Sequence, residues 1–228
     1  PAIKPDPVAV APTLKPTPSV APTAVIPVPT VKPAPVAPKP AKVVKLEPAA
    51  PGTGDYIAGQ VDLVYLPITR FRARFKQRYV AKIANSTKNS GGVCYVQRPG
   101  KISFSYHEPN KNRVVSDGSI LKVYEHENQQ MFLKKVAHTE YPGALAFIMG
   151  KGLRQSFTFQ LHKKTKWEGG PVIMGTPRVA NPAYKKVLFY IDSALLAKKD
   201  AGCVRRVLVL DAQQNQNRFD FIHIEQPA

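Results

Sequence analysis

The sequence predicts a mainly β domain of the α+β kind behind a long proline-rich arm, and three observations carry that prediction. Prolines divide unevenly: 15 of the 23 lie in residues 1–52 and 8 in the other 176. A strict alternation of apolar and basic side chains runs through residues 71–81, the two-residue period of a strand with one wet face. Several later runs are apolar on both faces, as in Val187-Leu188-Phe189-Tyr190-Ile191, and such a sheet must be covered twice. Only two short helices are legible, so part of the cover is expected from something the chain does not encode. That is a first sign of an apolar ligand cavity.

Residues 1–52 form the arm and 53–228 the folded domain. The arm is built of Pro, Ala, Val, Thr and Lys and lacks aromatics, so it cannot assemble a core and favours disordered or extended polyproline II chain. Fully extended, its fifty-odd residues reach on the order of 150 Å, enough to cross a compartment or a wall layer. An inert linker is the alternative. The chain begins at Pro1 and not at Met, an opening compatible with removal of a signal or anchor segment.

The domain opens with a helix over residues 55–65, where Ile57, Val61, Val64 and Tyr65 recur at helical spacing and Thr53 or Asp55 can cap the start. In the strand that follows, Phe71, Ala73, Phe75, Gln77 and Tyr79 share one face; Arg72, Arg74, Lys76 and Arg78 share the other. The polar, glycine-containing stretch 85–92 predicts a turn into a strand at 93–97, and Arg98-Pro99-Gly100-Lys101 a turn into a strand at 102–106. Ser116-Asp117-Gly118 predicts a hairpin between 113–115 and 119–124. A second, very apolar helix is expected from Pro142 to residue 149, with Gly150 as its stop. Four more strands are expected at 156–161, 185–192, 204–210 and 218–225.

Chemistry is mostly excluded. The five histidines are scattered, no paired Cys/His spacing occurs, and no carboxylate pair has a spacing that suggests catalysis, so an enzyme, a metal and a cofactor are not expected. The formal charge of +18 suggests nucleic acid, but the basic residues alternate along a strand and do not cluster with stacking aromatics. A charged outer face that keeps a lipid-handling protein in water, or draws it to anionic membranes, explains the charge better. No apolar run approaches the ~20 residues of a membrane-spanning helix. Cys94 and Cys203 lie in apolar strand-like runs, where a disulfide between them and two buried thiols stand as alternatives.

The stretch from Phe71 to Val123 resembles the LolA family of periplasmic lipoprotein carriers. Phe71-Arg72-Ala73-Arg74-Phe75-Lys76-Gln77 is similar to the family's first strand, Tyr95-Val96-Gln97-Arg98-Pro99-Gly100-Lys101 to its strand ending in RPG, and Val115-Ser116-Asp117-Gly118 to its hairpin. Weaker echoes follow at 142–149, at Gly175-Thr176-Pro177 and at 211–215. The chain departs from the pattern at Phe104, where tryptophan is common, at Lys122, where an aromatic is common, and at its end, which lacks the family's closing strand. The proline-rich arm is also unusual for the family.

The resemblance implies a strongly curved, unclosed antiparallel β-barrel with a helical lid over an apolar cavity. It implies that acyl chains of lipoproteins are carried through the periplasm, from an inner-membrane lipoprotein-releasing transporter to an outer-membrane acceptor, by a monomer. Arg98 matches the arginine that latches the lid when the carrier is empty. Phe71, Phe75, Tyr79, Tyr95 and Phe104 are the expected cavity wall; Leu145, Phe147, Ile148 and Met149 are the expected inner face of the lid. Two alternatives remain open: a carrier or sensor of another lipid on the same fold, and an envelope-spanning structural adaptor in which the arm is the active part.

Overall fold

The computed structural model describes residues 46–107, 109–135, 152–179 and 184–226. The proline-rich stretch 1–45, the expected helix at 142–149 and, with it, Leu145, Phe147, Ile148 and Met149 lie outside the described residues. Eleven strands form one antiparallel sheet: β1 (Arg70–Ala81), β2 (Ser86–Gln97), β3 (Lys101–Tyr106), β4 (Arg113–Asp117), β5 (Ile120–Glu125), β6 (Gln130–Lys135), β7 (Phe157–Leu161), β8 (Val172–Pro177), β9 (Lys186–Ile191), β10 (Val204–Leu210) and β11 (Gln216–Glu225). Their order, β6-β5-β4-β3-β2-β1-β11-β10-β9-β8-β7, is two meanders joined where the first strand meets the last. β6 and β7 are the two edges, so the barrel is unclosed. A single apolar cluster takes side chains from Leu121 and Val123 of β5, through Phe75 of β1, to Phe157 and Phe159 of β7. The sheet is strongly curved around that shared concave core.

β1 behaves as its alternation predicts. Phe71, Ala73, Phe75 and Gln77 are buried, while Arg74, Lys76 and Arg78 are exposed. The polar stretch 85–92 does not: Ser86 to Gly92 extend β2, in register with β1 from Phe75↔Gly92 to Ala81↔Ser86. The turn shrinks to the residues before Ser86, with Asn85 in the left-handed region at φ 46°. A long partner strand offers ladder hydrogen bonds to whatever lies opposite, and this outweighs the loop-like composition. Gly92 is needed there, because a Cβ would stand 2.1 Å from the Ser105 carbonyl oxygen on β3. At the hairpin between β4 and β5 Gly118 takes φ 99°, and the Asp117 carboxylate accepts from the backbone N–H of Ser119 (2.7 Å) and Ile120 (2.8 Å).

Helix α1 (Gly54–Tyr65) starts at Thr53, whose hydroxyl accepts from Tyr56 N–H at 3.2 Å. It buries Ala58, Val61, Val64 and Tyr65 against the concave face. Polar bonds pin it along its length. Asp55 accepts from Phe159 N–H (3.0 Å) on β7, and Asp62 accepts from Leu153 N–H (2.5 Å) and Arg154 N–H (3.1 Å) at the start of the one-turn helix α2 (Leu153–Ser156). The Tyr65 hydroxyl donates to the carbonyl of Ala201, in the turn between α3 (Ser193–Ala197) and β10.

Cys94 and Cys203 are both fully buried free thiols, so the disulfide alternative is not realised in this structure. The reason is strand order. Cys94 is on β2 and Cys203 leads into β10, with β1 and β11 between them. Three strand spacings amount to roughly 14 Å along the sheet. A bridge needs Cα atoms about 4.4–6.8 Å apart.

Two outcomes follow from this packing. Gly54 abuts β7 so closely that a Cβ would lie 2.7 Å from the Gln160 backbone. Gly54→Ala should therefore lower the unfolding free energy by about 1–3 kcal/mol, read from the urea midpoint. Burial pushes both thiols from an ordinary value of 9.0 up to about 12. Stability tied to keeping them protonated is full below pH 9 and is lost as pH rises toward 12. At pH 8 an aromatic disulfide reagent should label both thiols only as fast as the protein unfolds.

Candidate functional site

The concave face is an aromatic surface centred on Phe75. Its ring meets Phe104 at 5.3 Å, Tyr106 at 5.1 Å and Phe219 at 6.2 Å between centroids. Phe71 lies two inward positions along β1, beyond Ala73, and touches Tyr65 of α1 edge-on at 6.4 Å. Toward the other edge Phe157, Phe159, Phe189 and Tyr184 form a second ring cluster, with centroids 5.7–6.3 Å apart. α1 packs over the second cluster, against β7 and β8, and meets the first at Phe71 through Tyr65.

Phe71, Phe75 and Phe104 are brought together on this face, each 2–3% exposed. Tyr79 lies further along β1, paired with Asn217 on one side and Lys88 on the other, and is half-buried. Burial, with the Asp211 charge nearby, raises its hydroxyl above the ordinary value. Tyr95 is not part of the wall. It is 49% exposed and packs its ring beneath the Arg72 guanidinium, 5.7 Å away, on the convex face. Cys94 and Val96 take the inward positions of β2, and a residue between them must point outward.

Sequence reasoning missed Tyr106, which continues the inward series Ile102, Phe104 on β3. It also missed Phe157, Phe159 and Phe189 as lining. The signal for Tyr106 was present as plain alternation. The far cluster depends on α1 lying against β7 and β8, which alternation does not reveal.

Arg98 follows β2 in the turn to β3 and reaches α1. Its guanidinium donates to the carbonyl of Tyr65 and, at 3.4 Å, to that of Leu66. These are among the last carbonyls of the helix, which its own turns leave unpaired and where a cation is favoured. Partial burial lowers the basicity of Arg98, while the neighbouring Tyr65 and Asp62 act the other way. Burial raises the Asp62 carboxyl, opposed by the two N–H bonds it accepts and by Arg154 and Arg98. The arrangement fastens a helix over an apolar face by one cation at its C-terminal end and by the carboxylates of Asp55 and Asp62 along its length. Among the described residues no cluster of His, Cys, Asp and Glu could hold a metal ion, and no helix is long and apolar enough to cross a membrane.

An outer-membrane lipoprotein carrier protein of Dechloromonas aromatica is 28% identical over 134 residues, covering 57% of this chain. The match spans 64% of that relative, less than two thirds of its length. A second, from Alkalilimnicola ehrlichii, is 26% identical over 175 residues, covering 75% of this chain and 80% of the relative. Among solved structures, a LolA superfamily protein of Nitrosomonas europaea aligns over 77% of this chain and 94% of its own, with a TM-score of 0.45 and 13% identity. The family model described as outer membrane lipoprotein carrier protein LolA matches residues 67–228, and the chain belongs to that family.

Proposed function

We propose that this chain is a periplasmic carrier that takes the acyl chains of lipoproteins onto its concave aromatic face and ferries them from the inner toward the outer membrane. An inner-membrane lipoprotein-releasing transporter would load it and an outer-membrane acceptor would unload it. The observation that supports this most directly is the continuous aromatic face under a helix that Arg98 fastens at one end.

Each methylene withdrawn from water is worth ~0.8 kcal/mol, so an acyl chain of about fifteen carbons carries on the order of 12 kcal/mol of unfavourable surface. Free diffusion across an aqueous compartment is closed to such a molecule. A carrier must match that apolar surface and still let go. A face that buries itself beneath a helical cover when empty would supply the competition, because the same surface would hold either the cover or the cargo. The proline-rich arm would add reach.

Arg98→Leu removes the cation from the α1 carbonyls and weakens only the closed state. Saturable uptake of an environment-sensitive fluorescent acyl probe is expected in the full chain, and about tenfold tighter in Arg98→Leu. No uptake by either form would remove the carrier reading.

A further inference from the structure

Among the described residues, the aromatic face holds one polar atom that its own packing does not use. Tyr106 is 7% exposed, and its hydroxyl oxygen is buried with no hydrogen-bond partner among the described residues. The other buried polar groups of this face are engaged: Gln77 donates to Asn217 at 2.9 Å, Asn112 accepts from His126 N–H at 2.9 Å, and the Tyr65 hydroxyl donates to Ala201. The remaining orphaned side-chain atoms are guanidinium nitrogens of Arg72, Arg154 and Arg218. Each of those groups makes an ion pair or hydrogen bond to Glu225, Glu47 or Asp220.

An unpaired buried hydroxyl costs stability, and phenylalanine would give the same ring contact with Phe75 without that cost. The hydroxyl is thus a donor set among apolar groups and free to engage a guest. Its position narrows the chemistry of that guest. Tyr106 occupies the same row as Gly92 and Phe75, and the next inward position on β1 is the polar Gln77. Burial, with the Cys94 thiol nearby, keeps the phenol protonated, so it can donate. An uncharged phenol donor suits an uncharged carbonyl acceptor.

We propose that Tyr106 is a specificity-determining residue whose hydroxyl donates to the ester or amide carbonyl of an acyl chain lying along Phe71, Phe75 and Phe104. The face then prefers carbonyl-linked acyl chains to alkyl chains of equal length. This rests on the carrier reading and adds to it which chemical linkage is recognised.

The test displaces the fluorescent acyl probe from the full chain with dipalmitoylglycerol or with its dihexadecyl ether analogue, which lacks the carbonyls. The wild-type protein should favour the ester about tenfold. Tyr106→Phe should bind the ester about tenfold more weakly and the ether as before. In the wild type alone, the infrared carbonyl band of the bound ester should move to lower frequency, the mark of an accepted hydrogen bond. A preference that survives in Tyr106→Phe, equal binding of ester and ether by the wild type, or an unshifted band overturns the assignment and leaves the carrier reading standing. Failure of the wild type to take up either lipid removes both.

Discussion

The seam between β1 and β11 joins the two halves of this molecule, and the other features of the structure depend on it. It pairs Arg72↔Glu225 through Val80↔Gln216, the first strand of the sheet against the last. Each meander alone would carry half of the aromatic face. Charge contributes little to the seam: the Arg72–Glu225 pair, at 2.9 Å, is 33% and 59% exposed, and such pairs are worth little. Asp220, held by Arg206 and by Arg218 at 2.8 Å, is better sheltered and ties β11 to β10. The larger contribution comes from Phe75, Phe219 and Phe221, buried across the seam and stacked on their neighbours. Burying one such side chain is worth ~1.5–3 kcal/mol.

Magnitudes also decide what holds the face closed. A hydrogen bond from a charged group contributes about 1.5–3 kcal/mol, and Arg98 makes its bonds near the surface. An acyl chain gains on the order of 12 kcal/mol by leaving water. Arg98 alone cannot resist that. More of the opposing weight would come from the apolar side of α1, where Ala58, Val61, Val64 and Tyr65 are buried in the same core and Tyr65 meets the Phe71 ring. On the proposed function the arginine would then tune an exchange of one apolar cover for another, as reversible carriage requires.

Much of this was legible in the sequence, and the misses have separate physical causes. The β1 alternation, the Asp-Gly hairpin and the amphipathic first helix are local signals, and each element forms where its signal lies. β6 left no trace, because all six of its side chains are exposed and alternation has nothing to sort. Residues 85–92 look like a loop because the driving force for their strand is the partner opposite, not their composition. Tyr95 was assigned to the wall by alternation and family likeness, while the phase of β2, set by Cys94 and Val96, points it outward. The two thiols show the same limit from another side: whether they meet depends on strand order, which no spacing of cysteines encodes. The unpaired state of the Tyr106 hydroxyl depends on what surrounds it in three dimensions, so a sequence shows a tyrosine and nothing of its use.

Phase is also where the design of the sheet is most exposed to error. A slip of one residue along β1 would send Arg72, Arg74, Lys76 and Arg78 into the core and Phe71 and Phe75 into water. The strong alternation guards β1 against this, but β11 cannot keep phase by alternation alone. Counting inward from Asn217, Phe219 and Phe221, the next inward residue would be His223. The pairing instead shifts between Ala73 and Arg74, with Ile222 opposite Arg74 and Ile224 opposite Ala73. His223 is the extra residue of a bulge, at φ 50°, and it is exposed. One residue in a left-handed conformation thus returns Ile224 to the apolar side, where it packs against the core. The strain at His223 keeps an ionisable ring out of the face on which an acyl chain would lie, and keeps that face apolar to its end.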